Sequence, residues 1–91
     1  MYVVNDALVR EQIRNIPKFD KQNVLDVIEK LKSDPYHACD ARPMTGGYSG
    51  YWRCKAGDWR IIYDIQEHTV TVLLMKIGRR NKVYSDYEGK P

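Results

Sequence analysis

Three basic side chains of two neighbouring predicted strands could bind an anion together. Successive side chains of a β-strand point to opposite faces of the sheet. Arg53 and Lys55 therefore point the same way in WRCKA, and Arg60 points away from its apolar neighbours in GDWRIIYDI. Like charges on one face repel one another, but they suit a phosphate backbone. The alternatives are that Asp64 and Glu67 neutralise them, that Arg60 forms a structural ion pair, or that all three are ordinary exposed strand charges.

A second basic segment follows the third predicted strand. It contains a tyrosine beside its cations, and its members are Arg79, Arg80, Lys82 and Tyr84. A tyrosine next to arginines can stack on a base or exchange a proton. The competing interpretation is an aromatic side chain that closes the core or the edge of the sheet.

Other chemistry finds little support in the sequence. Cys39 and Cys54 are far apart and, even with His37 and His68, match no zinc spacing, so two reduced thiols and two surface histidines are expected. No Ser-His-Asp spacing, phosphate-binding loop or dinucleotide fingerprint is present. We therefore expect neither a metal nor a cofactor.

Composition and charge indicate one small domain with a basic half. The chain has 91 residues, 43% of them hydrophobic, which suits a single domain over residues 1–91. Residues 42–84 carry eight Lys/Arg against three Asp/Glu, whereas residues 1–41 carry six against seven. A basic C-terminal half favours a polyanionic partner, although a solvated face is the alternative. Neither a secretory signal nor an apolar run of about 18 residues is visible, so we expect a cytoplasmic protein without membrane contact.

The order of predicted elements indicates an α+β fold. Residues 2–4 suit a short edge strand, and two amphipathic helices follow, capped by Asp6 and Asp20, with Pro17 ending the first. Residues 35–50 contain prolines and glycines and predict a long loop. Three strands over residues 51–56, 59–66 and 69–77 then form an antiparallel meander, with Gly57 and Asp58 in a tight turn. Residues 85–91 are predicted to be a flexible tail. The helices cover one sheet face, on the side of Trp52, Trp59, Ile61 and Tyr63.

The segment GYWRCKAGDWRIIYDIQEHTVTVLLMKIGRRNKVY resembles the RelE/ParE superfamily of bacterial toxins from type II toxin–antitoxin systems. The match is dense over residues 50–84, where the pattern Gly-Asp-aromatic-Arg-Ile-Ile-Tyr leads to Gly-x-Arg-Arg-x-x-Val-Tyr. Over residues 2–35 only the order strand, helix, helix agrees. The resemblance implies a RelE-like, microbial RNase-like fold, in which an N-terminal strand and a helical hairpin pack on an antiparallel meander.

The resemblance also implies an activity, that of a metal-independent mRNA endonuclease acting in the ribosomal A site. The implied catalytic residues are Arg53, Lys55, Arg60, Arg80 and Tyr84. The implied contacts to RNA or the ribosome come from Arg42, Lys76, Arg79 and Lys82. The expected partners are mRNA, ribosomal RNA and a cognate antitoxin.

In such a reaction the ribose 2′-hydroxyl attacks the adjacent phosphate. Lys55 is the candidate base if neighbouring cations favour its neutral form, Arg53 and Arg60 would stabilise the transition-state charge, and Tyr84 or Arg80 would serve the leaving group. The His/Glu pair of many small ribonucleases is missing, so catalysis would depend on positioning by the ribosome. Two alternatives stay open: a ParE-like inhibitor of DNA gyrase, and an inactive homologue that only binds its antitoxin.

Overall fold

The computed structural model describes residues 1–84, and the predicted flexible tail, 85–91, lies outside them. Two helices pack on one face of a five-stranded sheet. Within the described part of the chain, no helix is long and apolar enough to cross a membrane. The elements, in chain order, are β1 (Val3–Asn5), α1 (Arg10–Arg14), α2 (Lys18–Ser33), β2 (Arg42–Pro43), β3 (Trp52–Ala56), β4 (Trp59–Gln66) and β5 (Thr71–Arg79).

The sheet has the order β1-β5-β4-β3-β2. β3, β4 and β5 form the predicted antiparallel meander. β1 adds to it in parallel beside β5, and β2 adds to it antiparallel beside β3. The α+β prediction is confirmed, with a sheet that is mixed rather than purely antiparallel.

The hydrophobic core lies between the helices and one face of the sheet. Ile61 and Tyr63 are fully buried in it, and Trp52 and Trp59 pack against it, as the alternation predicts. The helices contribute an apolar stripe made of Val24, Val27, Ile28 and Leu31. The residues between these strand positions therefore point to the opposite face.

The predicted helix caps are wrong. α1 begins only at Arg10, and α2 begins at Lys18, directly after Pro17. The fixed φ of a proline suits the start of a helix, which explains why α2 needs no side-chain cap there. Asp20 instead accepts a hydrogen bond from Trp59 Nε1 at 3.1 Å and so links α2 to the sheet.

The predicted loop and the last predicted strand also need correction. The segment 35–50 contains β2, in which Arg42 pairs with Arg53 of β3, so it is not an uninterrupted loop. The last strand is Thr71–Arg79 rather than residues 69–77, because Glu67–Thr69 form a 3₁₀ turn that ends at Val70 in a left-handed conformation (φ 49°).

Candidate active site

An open pocket of about 420 Å³ lies on the sheet face away from the helices. Its lining comprises the five side chains that the sequence predicts to be catalytic: Arg53, Lys55, Arg60, Arg80 and Tyr84. Four of these five are cations. The pocket is therefore suited to an anionic group rather than to an apolar ligand.

The hairpin of β3 and β4 supplies three of the cations. Lys55 lies directly opposite Arg60, and Arg53 follows two positions away on the same face. Like charges directly opposite each other destabilise a strand pair. The arrangement thus carries an electrostatic cost that a bound anion would relieve.

A turn after β5 supplies the other two side chains. The amide of Arg80 donates to Asp58 O at 2.9 Å, and the amide of Val83 donates to Arg79 O at 2.8 Å. Val83 is buried against Gly78, where an added Cβ would lie only 3.2 Å from Val83 Cβ. We call residues 80–84 the C-terminal turn, because it folds back over the sheet and brings Arg80 and Tyr84 to the pocket.

Arg60 is held by neutral partners. Its Nη1 donates to Gly57 O and to Trp59 O, each at 2.9 Å, at the tight turn that the sequence predicts. Within residues 1–84 the guanidinium forms no ion pair. These bonds fix the direction of the guanidinium group and leave its charge unpaired within residues 1–84. Arg60 is therefore not the structural ion pair that the sequence left open.

Arg53 has a buried donor without a partner. Its Nη1 is inaccessible to solvent and makes no hydrogen bond within the described residues. A buried donor left unsatisfied typically costs ~1–3 kcal/mol. The rest of the Arg53 side chain lines the pocket, where its guanidinium group can form charge-assisted hydrogen bonds to an anion.

Lys55 pairs with a carboxylate that sequence reasoning missed. Its Nζ lies 2.8 Å from Asp40 Oδ2, and Arg42 Nη2 lies 3.5 Å from Asp40 Oδ1. The hydrogen bond and the charge of Lys55 lower the pKa of Asp40 below its ordinary value. In this conformation Lys55 is held in an ion pair at the edge of the pocket.

The carboxylates expected as neutralising partners are engaged elsewhere. Glu67 accepts hydrogen bonds from the hydroxyls of Tyr2 and Tyr36, and these bonds lower its pKa. Asp64 accepts a hydrogen bond from Gln66 Nε2 at 3.3 Å. Neither of them is an ion-pair partner of the pocket cations.

Tyr84 is a protonated phenol at neutral pH. Burial raises its pKa above the ordinary value of 10.0, while the charges of Arg53 and Arg60 act in the opposite direction. The hydroxyl therefore carries its proton, and the two guanidinium groups would stabilise the phenolate that a proton transfer leaves.

The four predicted RNA- or ribosome-binding residues do not line the pocket. Arg79 stacks on Trp59, with its Cζ 4.8 Å from the ring centroid, and pairs with Asp20 and Asp58 at 3.9 and 3.4 Å. Lys82 is exposed in the C-terminal turn. The remaining two predicted binding residues are Arg42, which lies beside Asp40, and Lys76 of β5, which lies opposite Ile62 of β4.

Metal ligands are not grouped within residues 1–84. No cluster of three or more His, Cys, Asp or Glu side chains there could hold an ion. His37 instead pairs with Asp34, and Cys54 is buried beside the pocket strands with its pKa raised to about 12 by desolvation.

Comparison with known proteins gives one family and one fold. The sequence model of a family described as "ParE toxin of type II toxin-antitoxin system, parDE" matches residues 6–84. No curated protein matches the chain.

Several solved structures share the fold. The chain is similar to a structure of the RelBE2 toxin–antitoxin complex from Mycobacterium tuberculosis, with a TM-score of 0.76, 20% identity, and 87% of this chain and 98% of that chain covered. For the archaeal RelE–RelB complex from Pyrococcus horikoshii the TM-score is 0.69 at 22% identity, with 89% of this chain and 97% of that chain covered. For the isolated E. coli RelE toxin it is 0.69 at 15% identity, with 94% of each chain covered. At these identities the likeness establishes the fold alone.

Proposed function

Because this chain belongs to the RelE/ParE superfamily and is a toxin of a type II toxin–antitoxin system, we propose that it is a ribosome-dependent mRNA endonuclease. The observation that carries the proposal is the pocket, in which four cations and a protonated tyrosine converge and one buried guanidinium nitrogen lacks a partner within residues 1–84. The proposed target is mRNA in the ribosomal A site, with ribosomal RNA as a further contact.

The proposed reaction is a transfer within the RNA chain, on a message that the ribosome positions. The 2′-oxygen forms a bond to phosphorus and gives up its proton, while the bond from phosphorus to the 5′-oxygen breaks and that oxygen gains a proton. The products are a 2′,3′-cyclic phosphate and a free 5′-hydroxyl. Negative charge grows on the non-bridging oxygens in the transition state, where fixed cationic donors are most effective.

Each pocket residue has a role that follows from its contacts. Arg53 supplies a charge-assisted hydrogen bond to a non-bridging oxygen, and Arg60, anchored by two carbonyls, supplies a positioned charge. Tyr84 donates the proton to the 5′-oxygen. Lys55 separates from Asp40, releases one proton to solvent and then takes the 2′-proton. Arg80 stabilises the leaving side of the phosphate.

A cleavage assay on programmed ribosomes tests the proposal. We expect the purified chain to cut a message held in the A site and to leave 2′,3′-cyclic phosphate ends. The Arg53→Ala variant should be folded and inactive, whereas Lys18→Ala, on the helical layer, should cleave like the parent. Intact message with the parent protein would contradict the proposal.

Inhibition of DNA gyrase is the second candidate function, because the matching family is described as ParE. A supercoiling assay separates the two activities. We expect no inhibition of supercoiling, and inhibition without message cleavage would establish the second candidate. Loss of both activities would indicate a homologue that only binds its antitoxin.

We also propose a cognate antitoxin as partner. The related structures include toxin–antitoxin complexes, and the basic pocket offers a surface for an acidic or amphipathic segment. Such a segment should neutralise the toxin by covering the pocket or by displacing the C-terminal turn. Binding that leaves Arg53, Lys55 and Arg60 accessible and residues 79–91 unchanged would contradict this proposal.

A further inference from the structure

Asp40 lies beside the basic pocket, and its side chain is 43% exposed. Within residues 1–84 it is the one carboxylate in ion-pair contact with a cation that lines the pocket. Neither the family match nor the sequence analysis gives it a role.

The surroundings of Asp40 are those of a bound phosphate. Lys55 lies 2.8 Å from one carboxylate oxygen, and Arg42 lies 3.5 Å from the other. The charge of Arg53 also acts on the carboxylate. Three cations thus surround one anion that belongs to the protein itself.

The backbone holds this carboxylate in place. Cys39 and Asp40 both adopt left-handed conformations, with φ of 53° and 59°. This conformation is strained for residues other than glycine, although Asp tolerates it better than most. Two residues later the chain enters β2 and pairs with β3. The strained pair therefore lies in a turn next to a paired strand, and Asp40 contacts Lys55 from that turn.

We propose that Asp40 is a built-in competitor of the RNA phosphate, which occupies Lys55 in the free protein and is exchanged for a phosphate oxygen when RNA binds. The inference rests on the proposed RNA-cleaving function and adds to it a residue that sets affinity. Lys55 contacts the RNA only when this exchange takes place.

The exchange has a measurable signature in salt dependence. A cation that binds a phosphate of single-stranded nucleic acid normally adds about −0.7 to the slope of log K against log salt, because counterions leave. In the parent protein the displaced carboxylate of Asp40 stays beside the bound phosphate and offsets the charge that Lys55 brings to it. Removing the carboxylate should therefore steepen the slope by about 0.7.

The Asp40→Asn variant tests the inference. Asn keeps the shape of the side chain and tolerates a left-handed backbone, so the fold should persist. The probe is a short single-stranded RNA with a 2′-deoxynucleotide at the position of attack, which prevents cleavage. Dissociation constants are measured over a series of KCl concentrations. We expect about two- to fivefold tighter binding at low salt, the range of an exposed ion pair, and the steeper slope.

The matched control is Asp26→Asn, which makes the same charge change on α2, where Asp26 accepts a hydrogen bond from Gln22. Its slope should equal that of the parent. In a Lys55→Gln background, Asp40→Asn should no longer steepen the slope, since the effect acts through Lys55.

The outcomes separate this inference from the function on which it rests. Equal slopes for the parent and Asp40→Asn, with RNA bound by both, would overturn the inference and leave the proposed function intact. Failure of the parent to bind the RNA at any salt concentration would overturn the inference, whereas only failure to cleave message on programmed ribosomes would overturn the function.

Discussion

Arg60 combines a structural anchor with an uncompensated charge. Its two hydrogen bonds to the turn carbonyls stabilise the fold, whereas its electrostatic repulsion with Lys55 destabilises the fold. We expect Arg60→Ala to stay folded, with a loss of at most about 1 kcal/mol in the free energy of unfolding. Cleavage should fall about a hundred- to a thousandfold, as for the loss of one transition-state donor. Thermal melting and the ribosome assay measure the two effects.

The control for Arg60 is Arg60→Lys. A lysine keeps the charge but cannot hold its orientation with a guanidinium fork. It should restore part of the lost rate, which a role limited to folding would not explain. An Arg60→Ala protein that is unfolded, or one that cleaves at the parent rate, would show that this assignment is wrong.

Tyr84→Phe removes one hydroxyl from the pocket and keeps the ring. If Tyr84 is the acid, cleavage should fall about a hundredfold, whereas Tyr51→Phe, a hydroxyl outside the pocket lining, should change little. RNA with sulfur in place of the 5′-oxygen supplies a leaving group that needs no proton. Both Tyr84→Phe and the parent should cleave that substrate equally, and a persistent defect would exclude the acid role.

The residues of the site differ in how far the sequence predicts them. Alternation places Arg53, Lys55 and Arg60 together, because a two-residue turn fixes the register of β3 and β4. Asp40 could not be found in this way. It lies in a segment without periodicity, and two left-handed residues decide where its side chain points.

At the scale of elements, the C-terminal turn depends on close contact between Gly78 and Val83. A methyl group at Gly78 would meet both the side chain and the backbone of Val83 at 3.2–3.3 Å. Gly78→Ala should displace the turn and lower cleavage at least tenfold, since a shift of about 1 Å suffices for large rate losses. The sheet should remain folded.

Amide hydrogen exchange checks this displacement. The amide of Val83, bonded to Arg79 O, should exchange faster in Gly78→Ala, while the amides of β4 should keep their protection. Thr71→Ala, at the other end of β5, serves as control and should change neither cleavage nor exchange at Val83. Parent-like cleavage by Gly78→Ala would contradict the positioning role of the turn.

The prediction of strands from the sequence succeeds where the hydrophobic pattern is regular and fails where tertiary contacts determine the structure. β4 occupies the predicted residues because its alternation is strong and its turns are clear. β2 has only two residues and exists through its pairing with β3, so its own sequence carries no strand signal. The positions of Arg80 and Tyr84 follow from the family resemblance, since the geometry of the C-terminal turn has no local pattern.

For the whole molecule, the core predicts a loss of stability in alkali. Burial raises the pKa of Cys54 from its ordinary value of 9.0 to about 12, and burial also raises the pKa of Tyr63. The folded protein therefore keeps protons that the unfolded chain releases. The free energy of unfolding should decline as pH rises from 9 towards 12, by up to about 1.4 kcal/mol per pH unit for one group.

Urea unfolding at a series of pH values measures this decline. Cys54→Ala should be less stable at neutral pH, because it leaves a small cavity, but should show a flatter decline above pH 9. Cys39→Ala should keep most of the decline, since Cys39 is only partly buried. Parallel curves for Cys54→Ala and the parent would contradict the assignment.

The pairing of β1 with β5 also bears on how the protein is made. Val3 pairs with Thr71 in parallel register, so the first strand of the chain cannot pair until the last strand is present. Bringing such distant segments together costs loop entropy and slows folding. A nascent chain therefore cannot assemble the pocket until β5 and the C-terminal turn have left the peptide exit tunnel. Until that point the nascent chain lacks the complete pocket that the proposed activity requires.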